Sequence, residues 1–95
     1  MAAYLIASVR FRDTEHAAAY GRAVAPVIAA HGGRYLVRGG RSEVEEGTWS
    51  PAYLTIVEFA SLADAHGWYA SPDHAAIKAL RLDNADSEIT FVEGV

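Results

Sequence analysis

The chain has 95 residues, 52% of them hydrophobic and 21% charged, which is enough apolar material for one folded core and too little chain for two. A formal net charge of -4 gives no electrostatic attraction toward phosphate backbones, which usually requires clustered Lys and Arg, so no nucleic-acid partner is expected. The absence of cysteine excludes a disulfide framework and any thiolate metal site.

The apolar start, Met1 to Val9, lacks a basic leader region and runs into Arg10, Arg12 and Asp13, where a signal peptide would need its cleavage site. Residues 4–11 therefore read as a first strand. No stretch has the length that spans a bilayer, so no membrane association is expected and the expected location is the cytoplasm. From Thr14 to His31 the positions Ala17, Tyr20, Val24, Val27, Ile28 and His31 recur at helical spacing, with Asp13 as N-cap and Gly32 as the stop. Pro26 removes one backbone hydrogen bond and crowds the preceding turn, which predicts a kink or break near Val24 and Ala25.

Residues 34–38 read as a second strand, Gly39-Gly40 as a bulge or bend, and residues 41–46 as a continuation of the strand or an exposed arm. Glu43, Glu45 and Glu46 suit a solvated arm. A turn over residues 47–51 leads to a third strand at 52–59. Ser61 then caps a short helix in which Leu62, Ala65, His66 and Tyr69 share a face, and Ser71-Pro72 starts a second one that reaches about Leu82. A turn at Asp83-Asn84-Ala85 leads to a last strand from Ser87 to about Glu93.

The resulting order predicts a ferredoxin-like α+β fold, βαββαβ, in which one domain over residues 1–95 carries a four-stranded antiparallel sheet with helices on one face. Both alternating sets of the first strand (Leu5, Ala7, Val9, Phe11 against Tyr4, Ile6, Ser8, Arg10) and of the third (Tyr53, Thr55, Val57, Phe59 against Leu54, Ile56, Glu58) carry large apolar side chains. A lone sheet with one wet face would alternate with polar residues. The expected remedy is a second copy facing the uncovered side, a homodimer.

The segments Ala30-His31-Gly32-Gly33-Arg34-Tyr35-Leu36, Arg38-Gly39-Gly40, Val57-Glu58-Phe59 and Trp68-Tyr69-Ala70-Ser71-Pro72-Asp73-His74, with Arg81 and Ala85-Asp86-Ser87 behind them, resemble the small bacterial family known as domain of unknown function 1330. The likeness covers essentially the whole chain. It implies membership of the dimeric α+β barrel superfamily, whose activities include cofactor-free monooxygenases, isomerases and haem-degrading enzymes, so it implies a fold and no single function. His74 and Asp73 depart from the Ser-Pro-Glu-Tyr pattern of that family.

Three groups of residues carry possible chemistry. Arg10, Arg38 and Glu58 lie at strand ends; parity puts Arg38 with Leu36 and Glu58 with Ile56, and together they suit a clamp on an anionic or carbonyl-bearing ligand, or an ion pair at the rim of the dimer. Trp68 and Tyr69 follow each other on a helix and diverge by about 100°; Tyr69 is assigned to the core, and Trp68 either closes a pocket or packs beneath Gly39-Gly40. His31 suits a helix C-cap or a general base. His16, His66 and His74 show no ligand spacing, so neither metal nor cofactor is expected, and the paired glycines lie in no nucleotide-binding context.

The leading expectation is a homodimer whose paired sheets enclose a pocket for a small organic acid, carbonyl compound or aromatic molecule. One alternative is a cofactor-free isomerase or monooxygenase in which Arg38 stabilises enolate charge while His31, Glu58 or Tyr69 handles protons. The other is a structural or interaction module with no ligand, whose interior polar groups are all paired.

Overall fold

The computed structural model describes residues 1–95. In chain order the elements are β1 (Ala3–Phe11), α1 (Thr14–Ala30), β2 (Arg34–Arg38), β3 (Leu54–Phe59), α2 (Leu62–Tyr69), α3 (Pro72–Leu82) and β4 (Ala85–Glu93). This is the expected βαββαβ arrangement with the second helix divided in two.

Each helix begins where a side chain takes over an orphan backbone donor. Asp13 accepts from the His16 N–H at 2.8 Å, Ser61 from Asp64 at 3.1 Å and Ser71 from His74 at 3.1 Å. The end of α1 is a Schellman motif: Gly32 turns left-handed at φ 78°, its N–H reaches Ala29, and the Gly33 N–H reaches Ile28 at 2.9 Å. Glycine is also required at position 33, where a Cβ would sit 2.5 Å from the Ile28 side chain. Pro26 does not break α1, which is helical throughout. Its ring lies on the exposed side of the helix, where water can serve the carbonyl that loses its partner.

The sheet order is β2-β3-β1-β4 with every neighbour antiparallel. Leu5 lies between Val57 and Phe91, and Ala7 between Thr55 and Ile89, so one set of side chains from three strands shares the helix-covered face. The bulge is not at Gly39-Gly40 but inside β2. Tyr35 pairs with Val57 and Val37 with Ile56, leaving Leu36 as the extra residue. Beyond Gly39, which bends at φ 67°, residues 40–53 form an irregular and mostly exposed arm, so β3 begins at Leu54 and not at Ala52.

The core joins Leu5, Ala7, Val9, Val57, Phe59 and Ala85 of the sheet to Val24 and Ile28 of α1 and to Ala65 and Trp68 of α2. Trp68, not Tyr69, continues the Ala65 line: it is 1% exposed, whereas Tyr69 is half-buried beneath the Lys78 ammonium, 4.5 Å from its ring centre. Positions three and four along a helix both neighbour the same residue, and the seating of α2 on the sheet selects the former. No helix is long and apolar enough to cross a membrane.

Candidate functional site

Where α1 passes over the sheet, the half-buried Ala17 and Gly21 and the exposed Ala18 line the space between them, and the strand beneath contributes Ala7. Small residues on both layers leave a gap that side chains do not fill. The result is a cavity of about 640 Å³, within the size range of small-molecule sites. Leu5, Ala7, Val9, Val24 and Trp68 form its buried apolar wall, and the exposed Arg12, Asp13, Thr14 and Arg22 stand at its mouth. It lies on the helix-covered face, whereas the sequence pointed to the face closed by a second copy.

The charge of the lining opposes that of the whole chain. Arg12, Arg22, Arg38 and Arg81 line the cavity, four of the eight basic residues in a protein of net charge -4. Asp13 is the one carboxylate in the lining, and it is held by His16 at 2.6 Å. Arg12, Arg22 and Arg38 are solvent-exposed and Arg12 is paired with Asp86 at 3.3 Å, so the buried positive charge of the recess is that of Arg81. Arg38 donates to the Gly21 carbonyl at 3.3 Å and its guanidinium lies 4.7 Å from the centre of the Tyr35 ring.

Arg81 is the unusual member. It is 2% exposed, its Nε donates to the Tyr20 hydroxyl at 3.3 Å, its Nη2 has no partner, and no carboxylate pairs with it. A buried cation without a counter-charge is costly. The indole N–H of Trp68 is also buried and unpartnered. Both orphans are donors, and only an acceptor can satisfy them.

His74 lies behind Tyr20, fully buried and stacked on Trp68 with ring centres 4.4 Å apart. Its Nδ1 is 2.9 Å from the Tyr69 carbonyl. A carbonyl only accepts, so Nδ1 carries the hydrogen, and Nε2 of the neutral ring offers its lone pair to the Tyr20 hydroxyl at 3.5 Å. Burial, followed by the nearby charges of Arg81 and Lys78, pulls the His74 pKa below its ordinary value and outweighs the carbonyl hydrogen bond that raises it. Burial raises the pKa of Tyr20 against the opposing pull of Arg81, and that of Tyr35 against the pull of Arg38. All three groups are neutral near pH 7.

Of the residues singled out in the sequence, Arg38 and Trp68 line this cavity. Arg38 and Glu58 do not converge. The extra residue in β2 reverses parity after Tyr35, so Arg38 pairs with Thr55 on the helix side. Glu58 lies on the opposite face, where it accepts from Arg34 at 2.7 Å and from the Tyr4 hydroxyl at 3.3 Å. The Arg34 hydrogen bond, chiefly, holds the Glu58 carboxyl below its usual range. Arg10 alternates with the buried set of β1, is exposed on that same opposite face, and makes no ion pair. His31 caps α1 through its backbone N–H, bonded to Ile28 at 3.1 Å; neither it nor Tyr69 lines the cavity.

Arg81, Tyr20, Tyr35 and His74 were not read from the sequence as site residues. One signal was available: His74, Ile77 and Arg81 follow the three-and-four spacing of a buried helical stripe, and an arginine on such a stripe demands a partner.

The family described as Domain of unknown function (DUF1330) matches residues 2–95. No curated protein matches. Among solved structures, a protein of unknown function from Rhodopseudomonas palustris is 22% identical with a TM-score of 0.77, covering 99% of this chain and 82% of that one. A dimeric ferredoxin-like protein of unknown function from Thermobifida fusca is 15% identical with a TM-score of 0.67, covering 99% and 92% respectively. Another dimeric ferredoxin-like protein of unknown function, from Jannaschia, is 10% identical with a TM-score of 0.68, covering 99% and 100%. At these identities the likeness is one of fold.

Proposed function

The chain belongs to the domain of unknown function DUF1330 family, and within it we propose that this protein binds a small organic acid in the cavity between α1 and the sheet, its carboxylate on Arg81 and Arg38 and its apolar or aromatic body against Val9, Tyr35 and Trp68. The observation that carries this reading is the buried Arg81 guanidinium, which has no carboxylate partner and whose buried Nη2 donates to nothing. An anionic ligand supplies the missing counter-charge, and a planar carboxylate suits the guanidinium fork.

The reading predicts that benzoate, hexanoate or phenylpyruvate at millimolar concentration raises the unfolding midpoint, because a ligand that binds only the folded state stabilises it. Gly21→Leu supplies the control. A Cβ at position 21 meets nothing within 4 Å, so the larger side chain enters the cavity while the helix loses a glycine that costs about 1 kcal/mol. The variant is expected to unfold at a higher temperature and to ignore the three acids. A parent protein indifferent to all three contradicts the reading, and a Gly21→Leu protein that still responds moves the ligand elsewhere.

The same protein is proposed to act as a homodimer. Tyr4, Ile6, Leu54 and Ile56 lie half-buried on the face away from the helices, with Leu36 and Val92 each 46% exposed. Two of the structures with this fold are themselves described as dimeric. Burial of each Leu or Ile is worth roughly 1.5–3 kcal/mol, and Ile56→Lys is expected to turn a dimer into a monomer in sedimentation. A folded parent monomer at micromolar concentration rules this out.

A further inference from the structure

We propose that the protein is a proton-transfer catalyst for a 2-oxo carboxylic acid, in which the Tyr20 hydroxyl passes a proton from the carbon beside the ligand's carbonyl to His74. This rests on the reading that the cavity takes an organic acid. Three elements converge on the hydroxyl: α1 supplies Tyr20, α3 supplies Arg81 and His74, and the end of α2 supplies the Tyr69 carbonyl that orients the imidazole. Tyr20 and Arg81 line the cavity and His74 does not, so the hydroxyl is the link between a bound molecule and the buried base.

Position follows from the carboxylate. With that group on Arg81, the adjacent carbonyl and the carbon beyond it lie within a few bonds of the Tyr20 oxygen, itself 3.3 Å from Arg81 Nε. In the step proposed, the C3–H bond of the acid breaks, its proton forms a new O–H on Tyr20, and the former Tyr20 proton forms an N–H on His74 Nε2. The electron pair from C3–H becomes the C2–C3 double bond, and the carbonyl oxygen carries the enolate charge beside Arg81 and Arg38. While the enolate is held, the Tyr20 O–H, which lines the cavity, exchanges with solvent water, and reversal then delivers a solvent proton to C3. Nothing is oxidised or reduced, and Tyr20 ends as it began. The 3.5 Å contact between Tyr20 and His74 is of the long kind that tightens when substrate binds.

His74 must be neutral to accept. The groups facing it are Arg81 and Lys78 from its own helix, Tyr20 from α1, and Tyr69 and Trp68 from α2, with no carboxylate among them. The base is therefore available above its lowered pKa, and the rate falls as the pH drops through that value.

The test follows deuterium entry at C3 of phenylpyruvate and 2-oxobutanoate in D₂O by proton NMR, alongside the midpoint shift that the same acids produce. The parent is expected to exchange C3 faster than buffer, and Tyr20→Phe to lose about 100-fold or more of that excess while keeping the midpoint shift. His74→Asn retains an N–H for the Tyr69 carbonyl and removes the basic ring nitrogen that takes the proton; it is expected to lose both the exchange and the acid limb of the pH profile. Binding without exchange overturns this proposal and leaves the cavity reading intact, whereas absence of both overturns the two together. Exchange that survives Tyr20→Phe, or an acid limb that survives His74→Asn, overturns the route.

Discussion

Arg81→Met is expected to give a protein more stable than its parent and unresponsive to carboxylates. The arginine stem is packed and its charge is unpaired, so an apolar side chain of similar length keeps the packing and removes the desolvated cation. Replacing buried charges by well-packed apolar groups is neutral or stabilising by about 1–4 kcal/mol, and the lower half of that range suits a group that already donates one hydrogen bond to Tyr20. For a domain of this size each 1 kcal/mol moves the midpoint by about 4–8 °C. Loss of the charged partner of a buried anion costs roughly 2–5 kcal/mol, which is an affinity loss of about 30-fold or more for benzoate. Urea unfolding near pH 7 with a benzoate titration measures both. A clear loss of stability would make Arg81 a structural post, and unaltered benzoate binding would remove it from the site.

Trp68→Ala carries the largest expected loss of stability. The indole is 1% exposed and meets Phe59, Tyr69, His74 and Phe91, so truncation removes its transfer energy and joins a new void to the existing cavity. Such substitutions cost about 3–5 kcal/mol, against a total of about 5–15 kcal/mol for a typical domain. Denaturant midpoints measure the cost. A residue that merely closed a pocket would lose binding and keep its midpoint.

The two experiments separate what packs from what binds, and the sequence blurred that distinction at several positions. Trp68 and Tyr69 each fit the spacing of a buried stripe, and the seating of α2 on the sheet chose Trp68. Tyr20 was legible as an inward helical residue, but its hydroxyl became chemically meaningful only when α3 brought Arg81 and His74 to it. Arg38 was legible as a candidate and was assigned the wrong companion, because one extra residue in β2 reversed the face count between Leu36 and Arg38. Parity along a strand survives only while every residue is paired.

By itself the sequence determined the element order, the three helix caps, the glycine stop after α1 and the surplus of apolar side chains on the sheet. These depend on period, on capping chemistry and on backbone freedom, all of which act within a few residues. Only the tertiary structure decided that the small residues of α1 and β1 leave a cavity between them, that four arginines line it, and that one of these is buried without a carboxylate partner. Those features depend on the spacing of packed layers and on contacts between residues as far apart as Tyr20 and Arg81, separated by 61 positions. No local pattern encodes such a distance.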